Sequence, residues 1–92
     1  MAMVRIQAIV RGRVQGVLFR DYTVKEAGRF GLSGWVRNRE DGTVETEFQG
    51  DAEEVALMVN WLRQGSPLSQ VTGVDTASAK VNPEESGFMV RY

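Results

Sequence analysis

The sequence contains neither cysteine nor histidine. Without cysteine, the chain has no disulfide framework and no thiolate nucleophile. Without histidine, it lacks the side chain that most often acts as a general base near neutral pH. Both absences also remove common ligands of zinc and copper ions. These absences argue against a zinc or copper site, and any catalysis must proceed without a histidine base or a cysteine nucleophile; we also expect no cofactor.

Long apolar segments are also missing. No apolar run approaches the roughly 20 residues that span a bilayer, and the start MAMVRIQAIV is too short and too interrupted for a signal peptide. These patterns predict a cytoplasmic protein with no membrane partner.

The 92 residues, 42% of them apolar, suffice for one domain over residues 1–92 with a single core. The sequence has no obvious exposed apolar stripe, which favours a monomer.

Charge is unevenly distributed along the chain, although the net charge is only −1. Residues 1–40 contain eight Lys or Arg and three Asp or Glu, whereas residues 41–92 contain three and nine. Chance and the solvation of surface charges explain this difference equally well. The alternative is a local positive potential that attracts a small anion to the first part of the chain.

Hydrophobic alternation and periodicity predict five strands and two helices. The alternating segments predict strands at residues 4–11, 32–38, 43–49, 71–79 and 88–92. Helices are predicted at residues 21–30 and 51–64. The second helix has the spacing of one apolar face, formed by Val55, Met58, Val59 and Leu62.

The predicted order is β-α-β-β-α-β with a short terminal strand, which is an α+β arrangement. Right-handed crossovers place both helices on one face of the sheet. The simplest packing is a ferredoxin-like sandwich with an antiparallel sheet. In that arrangement the first and third strands are central neighbours, and the second strand is an edge beside the third.

The stretch GRVQGVLFR, from Gly12 to Arg20, links the first strand to the first helix. Such a loop points several backbone N–H groups in one direction, and the helix N-terminus adds about half a positive charge. Together they form a site for phosphate or another small anion, to which Arg20 adds a planar cationic fork. The alternative is that Gly12 and Gly16 only permit a turn and that Arg20 is a surface side chain.

Two segments of the sequence resemble the signatures of the acylphosphatase family. GRVQGVLFR resembles the loop signature, although Leu18 stands where the family usually has a small residue. GWVRN at residues 34–38, followed by DGTV at 41–44 and by Gly50, resembles the second signature. The segments occur in the expected order, and the resemblance covers nearly the whole chain. It implies the same ferredoxin-like fold and an enzyme that hydrolyses acyl phosphates to a carboxylate and inorganic phosphate.

The resemblance also implies roles for individual residues. Arg20 would bind the substrate phosphate, and Asn38 would orient the attacking water; from the residues alone, ordinary turn chemistry explains Asn38 as well. Phosphoryl transfer is catalysed mainly by positioning and electrostatics, so a site of this kind requires neither a metal nor a histidine, and a phosphate oxygen of the substrate can accept the proton. The loop backbone that would bind phosphate is that of Gln15, Gly16, Val17, Leu18, Phe19 and Arg20.

Two other functions fit the same fold. One is a non-catalytic ferredoxin-like module that binds RNA or a small anion, and the other is an accessory domain that keeps the loop but has lost catalysis. RNA-binding sheets stack bases on aromatic residues of adjacent strands, whereas Phe19, Tyr22 and Phe30 fall on a loop end and a helix. A domain that has lost catalysis has no reason to keep both Arg20 and Asn38. We therefore expect a small-molecule acyl phosphate as the partner and no nucleic acid.

Overall fold

The structure, a computed structural model, describes residues 2–92. Five strands and two helices follow one another in the predicted order, so the α+β, ferredoxin-like class is confirmed. No helix within residues 2–92 combines the length and the apolar character needed to cross a membrane. The elements are β1 Met3–Arg13, α1 Phe19–Arg29, β2 Ser33–Asn38, β3 Val44–Asp51, α2 Ala52–Gln64, β4 Gln70–Ala79 and β5 Phe88–Arg91.

The strands form one sheet in the order β4-β1-β3-β2-β5. β1 and β3 are the central neighbours, as predicted, and the pairings among β1 to β4 are antiparallel. β5 differs, because it runs parallel to β2 with Gly34 opposite Phe88 and Arg37 opposite Arg91. The sheet is therefore mixed rather than wholly antiparallel, and β2 lies between two strands instead of forming the predicted edge.

The direction of β5 follows from its connection to β4. The chain reverses after β4 and crosses one end of the sheet through residues 80–87, so β5 runs opposite to β4 and hence parallel to β2. Four strand spacings amount to about 19 Å, which this connection can span. The side chain of Gln49 fastens it, accepting a hydrogen bond from the Asn82 amide (2.8 Å) and donating one to the Asn82 carbonyl (2.6 Å). Arg5 adds an ion pair to Glu85 (2.7 Å).

The core lies between one face of the sheet and the two helices. Ala8 and Val10 of β1 and Phe48 of β3 face the helices and are fully buried, as the alternation of these strands predicts. α2 buries Val55, Met58 and Leu62, which belong to its predicted apolar face. α1 buries Phe19, Thr23 and Ala27.

α1 begins at Phe19 and not at Asp21 as predicted. Phe19 is 2% exposed, and the centroid of its ring lies 5.7 Å from that of Trp61 on α2. This packing draws the end of the loop into the helix, so Arg20 belongs to the first turn of α1. Val14 and Val17 are buried as well and anchor the loop between β1 and α1 to the core.

Candidate active site

The loop after β1 and the end of β2 lie at the same end of the sheet. Both strands are antiparallel to β3, and Val10 of β1 and Asn38 of β2 are each paired with Val44. Asn38 therefore comes close to the loop, although β3 separates the two strands. A cavity of about 200 Å³ lies between them, lined by Val14, Gly16, Leu18, Phe19, Arg20, Asp21 and Asn38.

The cavity brings together most of the residues that the sequence singled out. Two of them do not line it. Val17 is buried, and its carbonyl oxygen accepts a hydrogen bond from the Ser66 hydroxyl (3.2 Å). Gln15 directs its side chain to the hairpin between β2 and β3. Those that line the cavity are Gly16, Leu18, Phe19, Arg20 and Asn38.

The backbone of this loop offers hydrogen-bond donors. Within residues 2–92, the amide groups of residues 15–20 donate no backbone–backbone hydrogen bond. The first amides of any helix lack a partner inside that helix, and α1 begins at Phe19. Gly16 and Leu18 have positive φ angles of 73° and 60°, a conformation typical of backbone nests that bind anions. With the positive end of the α1 dipole, these amides suit a phosphate group.

Leu18 precedes α1 and adopts the left-handed conformation, with φ 60° and ψ 23°. Its side chain is 62% exposed, so it gains little from packing. A left-handed backbone costs a non-glycine residue about 1–2 kcal/mol. Glycine, the residue that the acylphosphatase family most often has at this position, would avoid this cost.

Arg20 carries a positive charge that the surrounding protein does not neutralise. It is half-buried, and it forms no ion pair with a carboxylate of residues 2–92. Its guanidinium carbon lies 5.2 Å from the centroid of the Tyr92 ring, a cation–π contact. Asp21 is the acidic residue among those that line the cavity. Within residues 2–92, the cavity is thus lined by one guanidinium group, that of Arg20, and by one carboxylate, that of Asp21.

The side chain of Asn38 has a hydrogen-bond acceptor without a donor in the described part of the chain. Its side-chain oxygen Oδ1 is buried, and no group within residues 2–92 donates a hydrogen bond to it. Leaving a buried polar atom without a partner costs about 1–3 kcal/mol, so such atoms call for an explanation. Asn38 lines the cavity beside Arg20 and also a second cavity of about 470 Å³ next to Tyr92.

Comparison with known proteins identifies the family. A sequence model of the acylphosphatase family matches residues 6–90. The chain belongs to the acylphosphatase family. It is 46% identical over 88 residues to the acylphosphatase of Methylococcus capsulatus, with 96% of each sequence covered. It is 42% identical over 92 residues to that of Pelotomaculum thermopropionicum, with 100% of each covered.

A solved acylphosphatase has the same fold. The crystal structure of acylphosphatase from Bacillus subtilis is similar to this chain with a TM-score of 0.92 at 36% identity. The similarity covers 97% of this chain and 99% of that one. The resemblance to the acylphosphatases drawn from the two sequence signatures is thus confirmed, and so is the assignment to this family of enzymes.

One contact of the acylphosphatase loop could not be foreseen from the signatures. The side-chain amide of Gln15 donates hydrogen bonds to the carbonyl oxygens of Arg39 (2.8 Å) and Thr43 (2.9 Å). Only the backbone of Gln15 figured in the predicted site. Both acceptors are backbone atoms of the β2–β3 hairpin, and no residue type in the sequence marks a carbonyl oxygen as an acceptor for a distant side chain.

The hairpin has its own internal order. Asp41 accepts hydrogen bonds from the hydroxyl (2.6 Å) and the amide (3.0 Å) of Thr43. These hydrogen bonds hold the pKa of the Asp41 carboxyl below its ordinary value.

Within residues 2–92, no group of three or more potential metal ligands among His, Cys, Asp and Glu gathers in one place.

Proposed function

We propose that this chain hydrolyses acyl phosphates to a carboxylate and inorganic phosphate. In this proposal, the amides of residues 15–20 and Arg20 bind the phosphate, and Asn38 orients the attacking water. The observation that carries it is that Asn38, whose buried Oδ1 has no donor within residues 2–92, lines the same cavity as Arg20. Membership of the acylphosphatase family supports the reaction class.

The phosphate side of the site requires donors and positive charge. The amides of residues 15–20 have no backbone acceptor within residues 2–92, and they lie at the positive end of α1. Arg20 adds a guanidinium that can donate two parallel hydrogen bonds to phosphate oxygens. Donors fixed in advance stabilise the charge that develops as the P–O bond to the carboxylate breaks.

The water side of the site requires a group that orients the attacking water. In this proposal the side-chain amide of Asn38 holds the water, and one of the water's lone pairs remains available to attack phosphorus. Holding water in line with the departing carboxylate converts a bimolecular encounter into an oriented step. The carboxylate is a good leaving group and needs no strong general acid. A phosphate oxygen of the substrate accepts the proton of the water.

The rival function, a non-catalytic module that binds RNA or a small anion, is less well supported. Phe19 is 2% exposed, with its ring packed near Trp61, so it is not available to stack on a base. The predictions of a monomer, a cytoplasmic location and a reaction without cofactors stay predictions.

The test is the hydrolysis of benzoyl phosphate by the purified chain, with a chelator present and inorganic phosphate as the competitor. We expect turnover that phosphate inhibits. Arg20→Ala should nearly abolish turnover and weaken phosphate inhibition, whereas Asn38→Ala should slow turnover by about 10²-fold and leave phosphate inhibition largely intact.

Arg63→Ala is the matched control, since Arg63 is an exposed arginine in the last turn of α2 and does not line the cavity. It should retain turnover within about twofold. A folded chain with no turnover above the uncatalysed rate would overturn the proposal. Full activity of Asn38→Ala would remove the role proposed for Asn38 alone.

A further inference from the structure

The side chain of Gln15 bridges the two parts of the candidate active site. Its amide nitrogen Nε2 carries two hydrogens, and it donates to the carbonyl oxygens of Arg39 (2.8 Å) and Thr43 (2.9 Å). The acceptors lie 24 and 28 residues further along the chain. Both hydrogen bonds are partly buried, so water competes with them only weakly.

The two acceptors flank Asn38. Arg39 follows Asn38 directly, and Thr43 precedes Val44, the residue paired with Asn38 across the hairpin. The amide of Arg39 also donates to the Thr43 carbonyl (2.9 Å). The side chain of Gln15 thus ends at the mouth of the hairpin, next to the residue proposed to orient the water.

The sheet itself does not fix the distance between these two parts. The loop follows β1 and Asn38 ends β2, and β3 lies between these strands. The two strands are therefore about 9–10 Å apart and share no ladder of hydrogen bonds. The contact through Gln15 crosses the start of β3 and joins the loop directly to the hairpin.

We propose that Gln15 is a positioning residue, which sets the distance and direction between the amide of Asn38 and a phosphate held by the loop. The inference rests on the proposed hydrolysis of acyl phosphates. Gln15 acts through Asn38, because its hydrogen bonds end on the backbone beside Asn38. In-line attack is sensitive to displacements of about 1 Å, which can change the rate by about 10²-fold.

The test is Gln15→Met in the full chain, because methionine has a similar length and cannot donate these hydrogen bonds. With benzoyl phosphate as substrate, we expect kcat to fall by about 10- to 100-fold, whereas the inhibition constant of inorganic phosphate changes by less than about threefold. The same change should have no further effect on kcat in the Asn38→Ala background, because the residue that it positions is already absent.

Gln7→Met is the matched control. Gln7 also donates a side-chain hydrogen bond between strands, to Glu45 (2.9 Å), but it does not line the cavity. This variant should keep kcat within about twofold. Gln15→Asn keeps the amide but is one methylene shorter, and it replaces Gln15→Met if circular dichroism shows that the latter is unfolded.

Three results would overturn the inference while the unmodified chain is active. They are an unchanged kcat in the folded Gln15 variant, a parallel loss of phosphate inhibition and kcat, and a loss of kcat in the Asn38→Ala background as large as in the unmodified chain. The last two would mark Gln15 as a support of the whole loop. If the unmodified chain shows no turnover, the proposed function fails first, and this inference fails with it.

Discussion

The ring of Tyr92 lies against the guanidinium of Arg20, with 5.2 Å from the ring centroid to Cζ. Tyr92 follows β5, which runs parallel to β2, and β5 thus ends at the same end of the sheet as the cavity. The contact gives the last residue of the sequence a place beside the proposed phosphate site. It leaves the charge of Arg20 unneutralised, since an aromatic face attracts a cation but brings no formal negative charge.

Tyr92→Ala should weaken phosphate inhibition by about two- to fivefold, because an exposed cation–π contact contributes about 0.5–1 kcal/mol. Tyr92→Phe keeps the ring and should behave like the unmodified chain. The measurement is the inhibition constant of inorganic phosphate in the benzoyl phosphate assay. Equal losses in both variants would show that the hydroxyl, and not the ring, is responsible.

Asp21→Asn should tighten phosphate inhibition by about two- to fivefold, since Asp21 puts a carboxylate among the residues that line the cavity. The gain should shrink as salt is added, because ions screen charges in exposed sites. Glu53→Gln, in the first turn of α2, is the control and should leave the inhibition constant unchanged. The idea fails if Asp21→Asn binds phosphate no better than the unmodified chain at low salt.

Leu18→Gly should stabilise the fold by about 0.5–1 kcal/mol. Relief of the left-handed backbone is worth about 1–2 kcal/mol, and the greater freedom of glycine in the unfolded chain offsets about 0.5–1 kcal/mol of it. Leu57→Gly is the control: Leu57 is also exposed but lies within α2, where glycine costs about 1 kcal/mol. Urea unfolding measures both variants, and a loss of stability in Leu18→Gly would contradict the argument.

Glu45 should make the free energy of unfolding depend on pH in the acid range. Burial opposes ionisation of its carboxyl, but hydrogen bonds from Gln7 (2.9 Å) and Arg37 (2.7 Å) outweigh this effect, and the pKa of Glu45 lies below its ordinary value of 4.5. A lowered folded pKa contributes stability above about pH 4.5 that is lost as the pH falls through the folded value. Glu45→Gln should therefore be less stable than the unmodified chain at pH 7.

The difference between Glu45→Gln and the unmodified chain should shrink as the pH is lowered from 5 to about 3. Urea unfolding at a series of pH values gives both free energies. A difference that stays constant over this range would mean that the carboxyl of Glu45 is not the group responsible.

The features that the sequence predicts well are local. The alternation of apolar and polar residues in β1 and the spacing of apolar residues in α2 involve residues close together in the sequence. These patterns predicted which side chains of the two elements are buried. That Asn38 reaches the loop after β1 could not be derived from the pattern and was expected only from the family resemblance; in the structure, Arg20 and Asn38 line one cavity because β1 and β2 are both antiparallel to β3. The functional roles of these two residues came from the family resemblance and not from the pattern.

The features that could not be predicted depend on distant parts of the chain. Arg5 falls on the polar face of β1, yet it is only 6% exposed, because Glu47 and Glu85 pair with it from other elements. Phe19 joins α1 because Trp61 packs near it. β5 is only four residues long, too short for its pattern to indicate a partner or a direction.

The connection through residues 80–87 has a consequence for how such a chain can change over generations. It crosses the sheet at the end opposite the cavity, where Arg5 and Gln49 fasten it. Under the proposed function, selection for turnover acts at the cavity end, and Arg5 and Gln49 lie outside the cavity. Substitutions around Arg5 would therefore alter how many molecules in a population are folded without changing the proposed site itself.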